Sequence, residues 1–168
     1  GTQNSMTVPH VYGLQANIKP GKHRITVRID NRLKSMDVGT NSHSVTDHTQ
    51  GNWNGMVGDL QLQAQSPVYL EDIQVYPNLK TKTALVKIHV LNVNGKPVSG
   101  KINLSAKSFN SGISHTVAPE ELPINLTGKE ASYELSLPMG ENMQTWDEFN
   151  PALYNLNATL TVGEQSDT

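Results

Sequence analysis

Alternation at a period of two runs along most of this chain, and helical periodicity is nearly absent. In His23–Ile29, Ile25, Val27 and Ile29 share one face, while Arg24, Thr26 and Arg28 share the other. Leu60, Leu62 and Ala64 alternate with Gln61 and Gln63, and Ile73 and Val75 repeat the pattern before Pro77. Val86, Ile88 and Val90 follow, then Ile102, Leu104 and Ala106, then Tyr133, Leu135 and Leu137. Leu156, Ala158, Leu160 and Val162 close the series against Asn155, Asn157, Thr159 and Thr161. A strand with one buried face needs this period, and a helix cannot use it. The expected fold class is therefore all-β.

Turn chemistry separates the runs. Pro20-Gly21 precedes the first strong one, and Asn94-Gly95 fits a tight hairpin because both residues tolerate positive φ. Gly112, Pro119, Pro123, Pro138-Met139-Gly140 and Asn150-Pro151 mark further loops. Val68 to Val162 holds about seven strands over roughly 95 residues, the density of an immunoglobulin-like sandwich. Residues 1–66 offer three or four strands and a long polar stretch, Lys34 to Asn54. A piece of about 60 residues buries proportionately little surface. It reads as part of a larger β-domain whose beginning lies upstream, with Gln65-Ser66-Pro67 as the junction to residues 67–168.

Composition narrows the chemistry. Lys and Arg total 13 and Asp and Glu 15, a net charge of −2 that lacks the basic surplus of a nucleic-acid or anionic-membrane binder. No apolar run approaches the roughly 20 residues of a membrane-spanning helix. The chain has no cysteine, which excludes disulfides, thiolate metal sites and cysteine nucleophiles. Gly1-Thr2-Gln3-Asn4-Ser5 has no signal-peptide pattern.

The densest polar and aromatic stretch is Asn41 to Gly55. It joins His43, Asp47, His48, Asn52, Trp53 and Asn54. Planar amides and carboxylates bind sugar hydroxyls, and an aromatic face packs on the apolar side of a sugar ring. The competing reading is a solvated loop whose Asn and Asp cap local turns. His43, Asp47 and His48 could ligate a metal, but their spacing is not that of the helical His-Glu-x-x-His pattern. Ser44, His48 and Asp47 lack the Gly-x-Ser-x-Gly elbow of a serine hydrolase. Glycoside hydrolysis needs two carboxylates across a sugar-sized gap. Glu120-Glu121 and Asp147-Glu148 are adjacent pairs, and adjacent residues of a strand point to opposite faces. Trp146 to Tyr154 reads as a loop that folds over the sandwich and plugs its end. Asn103, Asn125 and Asn157 each open a glycosylation acceptor pattern, of a kind that arises readily in an Asn-rich chain.

Three stretches in order resemble glycoside hydrolase family 2, the β-galactosidases, β-glucuronidases and β-mannosidases. Gly1–Tyr12 with Lys19–Asn31 resembles the later half of the family's sugar-binding jelly roll, and Asn52–Leu60 resembles that domain's closing motif. Val68 onward is similar to the immunoglobulin-like domain that follows. Trp146 with Pro151-Ala152-Leu153-Tyr154 resembles the Trp…Pro-x-Leu-Tyr signature near that domain's end. The resemblance covers nearly the whole chain.

It implies a partial jelly roll (1–66) followed by an immunoglobulin-like sandwich (67–168), a fragment of a hydrolase of carbohydrate metabolism. The family's two catalytic glutamates stand on a TIM barrel after the sandwich, so no catalytic residue, metal or cofactor is expected here. The implied partners are carbohydrate in the full-length enzyme, the first half of the jelly roll, and the barrel. Asp47, His48, Asn52, Trp53 and Asn54 are the expected substrate-facing residues. Thr49 and Gly51 depart from the galactosidase pattern, which leaves the sugar open. The implied parent is bacterial and exported, periplasmic or secreted. A cut jelly roll exposes strand edges, so association between fragments is expected. The alternatives are a free-standing carbohydrate-binding module and a metal-dependent hydrolase using His43, Asp47 and His48.

Overall fold

Seven strands carry the sandwich, and each has a sequence reason. A computed structural model describes residues 1–5, 8–14, 18–30 and 55–168. The strands are β1 (Val68–Asn78), β2 (Thr83–Asn92), β3 (Val98–Phe109), β4 (Thr116–Leu126), β5 (Glu130–Pro138), β6 (Leu153–Val162) and β7 (Gln165–Asp167). They form two antiparallel sheets, β1-β2-β5 and β4-β3-β6-β7. No helix occurs among the described residues, and the all-β expectation holds.

Pleating explains the core. Ala84, Val86, Ile88 and Val90 of β2 point inward beside Leu137, Leu135, Tyr133 and Ala131 of β5. Ile102, Leu104 and Ala106 of β3 face them, flanked by Leu160, Ala158 and Leu156 of β6. The inward set is β-branched and Leu-rich, which suits close packing between sheets.

Two turns differ from expectation. Asn94-Gly95 is a turn, with Gly95 at φ 62° and its N–H donating to the Asn92 carbonyl at 3.0 Å. It joins no hairpin, because β2 and β3 belong to different sheets. Turn chemistry sets the local φ but not the sheet the next strand enters. The crossover is held by Asn92, which is buried. Its Nδ2 donates to the Lys96 carbonyl at 2.7 Å and the Gly128 carbonyl at 3.2 Å, and its Oδ1 accepts from Gly95 N–H. Pro119 and Pro123, read as loop markers, lie inside β4. β4 is a sheet edge, where a missing N–H breaks no inner ladder.

The chain divides into two compact units, Gly1–Gln61 and Leu62–Thr168. Described residues 1–66 contain no strand. The alternating runs His23–Ile29 and Leu60–Ala64 carry exposed side chains on both faces. Alternation becomes a strand only when a neighbour supplies ladder partners, and neither run is a strand among the described residues.

Candidate functional site

The five residues expected to face substrate, Asp47, His48, Asn52, Trp53 and Asn54, lie outside the described residues, as do His43, Ser44, Thr49 and Gly51. The described surface offers three further arrangements.

The first closes the end of the sandwich where β5 passes to β6. Met139 and Ala152 are buried, and Met143 and Tyr154 pack against the core. Tyr154 is the anchor. Its hydroxyl accepts the Gln144 N–H at 2.8 Å and pairs with His115 Nδ1 at 2.7 Å, the two rings meeting edge to face. Trp146 bridges Pro151, and Asn110 Nδ2 donates to the Pro151 carbonyl at 3.0 Å. At the tip, Asp147 Oδ1 accepts the N–H groups of Phe149 and Asn150 at 2.9 and 2.7 Å. This turn holds the tip away from the core. Trp146 stays 62% exposed and Phe149 91% exposed. The loop does cover the sandwich end, but through Met139, Met143, Ala152 and Tyr154. Of the aromatic residues in this loop, Tyr154 supplies the cover, and Trp146 and Phe149 do not.

The second is a charged cluster on the outer face of the β1-β2-β5 sheet. His89 Nε2 lies 3.4 Å from Glu71 Oε2 and 3.7 Å from Glu130 Oε2, and its Nδ1 lies 3.0 Å from Ser132 Oγ. Asp72 is its cross-strand partner on β1. Two carboxylates thus flank one imidazole. The histidine fills the space between them, where a hydrolase would hold a glycosidic oxygen or a water. The face is also partly open to solvent. The cluster is a histidine–carboxylate contact network across three strands, not an acid/base pair around a cleft. Sequence reading missed it because only strand register brings residues 71, 89 and 130 together. Glu71 is moreover the extra residue where the β1–β2 register shifts.

The third is an open groove of about 680 Å³ beside Tyr76, Leu79, Leu85 and Ser136. Lys80 is its one charged lining residue. Without a carboxylate it holds no glycosidase chemistry.

The adjacent acid pairs also fail as catalytic pairs. Glu120 and Glu121 stand opposite Leu104 and Asn103, hence on opposite faces of β4, and Glu121 receives Lys101 Nζ at 2.8 Å. Asp147 is engaged in its own turn. Among the described residues, no three His, Cys, Asp or Glu side chains gather to hold a metal.

The model of the glycosyl hydrolases family 2 matches residues 68–168, the stretch that spans all seven strands. The chain belongs to family 2. Among solved structures it is similar to a family 2 member from Bacteroides cellulosilyticus DSM 14838, at 22% identity and a TM-score of 0.37. That match covers 60% of this chain and 14% of the other, so the family 2 chain spans about one seventh of that protein's length. No curated protein matches it. In this family 2 chain, the Trp…Pro-x-Leu-Tyr signature corresponds to the Trp146–Pro151 bridge and the Tyr154 anchor. No helix among the described residues is long and apolar enough to cross a membrane.

Proposed function

We propose that this chain is a non-catalytic part of a family 2 glycoside hydrolase acting in carbohydrate metabolism. In this reading residues 1–66 are the later part of a sugar-binding jelly roll and residues 67–168 an immunoglobulin-like sandwich that supports the catalytic barrel. The stretch His43–Asn54 contributes Asp47, His48, Asn52, Trp53 and Asn54 to the substrate pocket. The observation that carries the reading is the family match on the sandwich itself, where no described carboxylate pair brackets an open cleft. The residue chemistry of 43–54 supports the substrate role: amides and carboxylate for hydroxyls, and an indole for a sugar ring. A polysaccharide-degrading enzyme of this kind fits a periplasmic or secreted setting.

The test is calorimetry and turnover on the purified chain. With nitrophenyl galactosides, glucuronides and mannosides, no hydrolysis is expected, and any turnover abolishes the non-catalytic reading. No glycan binding is expected either, because the pocket needs the barrel. Binding that disappears in Trp53→Ala would make the chain a carbohydrate-binding module instead.

A further inference from the structure

Asn94-Gly95 carries a reaction that needs no partner but water. Gly95 has no side chain, so its amide nitrogen can come close to the Asn94 side chain. Once deprotonated, that nitrogen attacks Asn94 Cγ. The N–Cγ bond forms, and the Cγ–Nδ2 bond breaks to release Nδ2 as ammonia. Water then opens the succinimide ring at either carbonyl and leaves aspartate or isoaspartate. At other asparagines of the sandwich the next residue obstructs this route. Leu crowds the nitrogen after Asn78, Asn103 and Asn125, and Pro151 offers no N–H after Asn150. Asn94 is exposed, so water reaches its amide.

The turn decides whether this chemistry runs. Gly95 N–H donates to the Asn92 backbone carbonyl at 3.0 Å and to Asn92 Oδ1 at 3.2 Å. A proton shared with two oxygens is hard to remove. The lone pair it would leave behind points at those oxygens, not at Asn94 Cγ. Asn92 in turn cannot swing away. It is buried, its Nδ2 is tied to the Lys96 and Gly128 carbonyls, and its N–H donates to the Lys129 carbonyl at 2.7 Å. We propose that Asn94 is a deamidation site gated by Asn92. The gate is shut while Gly95 N–H is held and opens when the turn lets go, with both sheets still folded. Val93 and Asn94 are both exposed, so the turn can open without uncovering the core. The product places a carboxylate, and in isoaspartate an extra main-chain carbon, in the crossover that carries the chain from one sheet to the other.

Peptide mass mapping of the full chain, incubated at neutral pH, tests this. Aspartate and isoaspartate at position 94 are expected to accumulate at least about tenfold more slowly in the folded chain than in guanidinium. Asn92→Ala removes the Oδ1 acceptor and speeds the reaction of the folded chain about fivefold. Leu104→Ala weakens the buried core without touching the turn and leaves the rate at that of the unaltered chain. Urea melts at the incubation temperature show that both variants are folded. Equal rates in the folded and unfolded chain overturn the proposal, as does an Asn92→Ala chain that reacts no faster. A Leu104→Ala chain that speeds up as much as Asn92→Ala also overturns it, because the reaction would then run through unfolding of the whole sandwich.

Discussion

Ile25, Val27 and Ile29 repeat the pattern of Val86, Ile88 and Val90, alternating with polar or intermediate residues in both places. Their fates are opposite. The first three are 65%, 50% and 46% exposed, and the second three are 0–1% exposed. The local signal is the same, so local propensity cannot be the cause. β2 lies between β1 and β5 and under β3, so its ladder and its apolar face are both answered. The N-terminal run has neither answer among the described residues. A strand pattern states a requirement, and the rest of the fold decides whether it is met.

The contrast is sharpest in core truncation. Leu104→Ala removes a fully buried side chain of β3 and is expected to cost about 2–5 kcal/mol. Val27→Ala in the N-terminal run is expected to stay within about 0.5 kcal/mol. Urea unfolding of both variants measures the difference, and equal costs would break the comparison. The Asn92 crossover comes next. Asn92→Leu leaves the Lys96 and Gly128 carbonyls and the Gly95 N–H without this partner. A loss of about 1–3 kcal/mol is expected from the same measurement. Gly100→Ala probes how tightly the sheets are built, since an added Cβ would run into the backbone carbonyl oxygen of Thr161. Overpacking there is expected to cost about 1–3 kcal/mol, whereas Gly13→Ala, with open space around it, should be near neutral.

The smallest effect is alkaline. The Glu134 carboxylate, hydrogen-bonded to Lys87 Nζ at 2.9 Å, holds that ammonium above its ordinary pKa. Burial pushes the Tyr133 phenol up as well. For both groups the folded chain favours the protonated form. Their contribution is therefore fully present below about pH 10 and is lost as pH rises through the raised folded values. Urea midpoints should fall above that pH, and less steeply in Tyr133→Phe. A midpoint that rises with pH in this range would contradict the sign.

Much of the fold was legible from single positions. The inward residues of β2, β3 and β6 follow directly from alternation. β4 was hidden because Pro119 and Pro123 read as breaks, and only its place at a sheet edge makes them tolerable. β7 was hidden because three residues are too short to show a period; it exists because Gly163 at φ 60° turns the chain back onto β6. Of the candidate site, the sequence offered a polar and aromatic stretch at 43–54 but no geometry. It gave no sign of the His89 cluster, whose members come from three strands.

By itself the sequence determined that this chain builds strands, where most of the sandwich turns fall, and which apolar residues can form a core. These depend on period, on φ preference and on side-chain polarity, all of which are local. Only the tertiary structure decided which sheet each strand joins and that the Trp146 and Phe149 side chains stay outside. Those outcomes depend on hydrogen-bond partners and packing neighbours far apart in the chain, and a ladder or a core exists only when both sides of it are present.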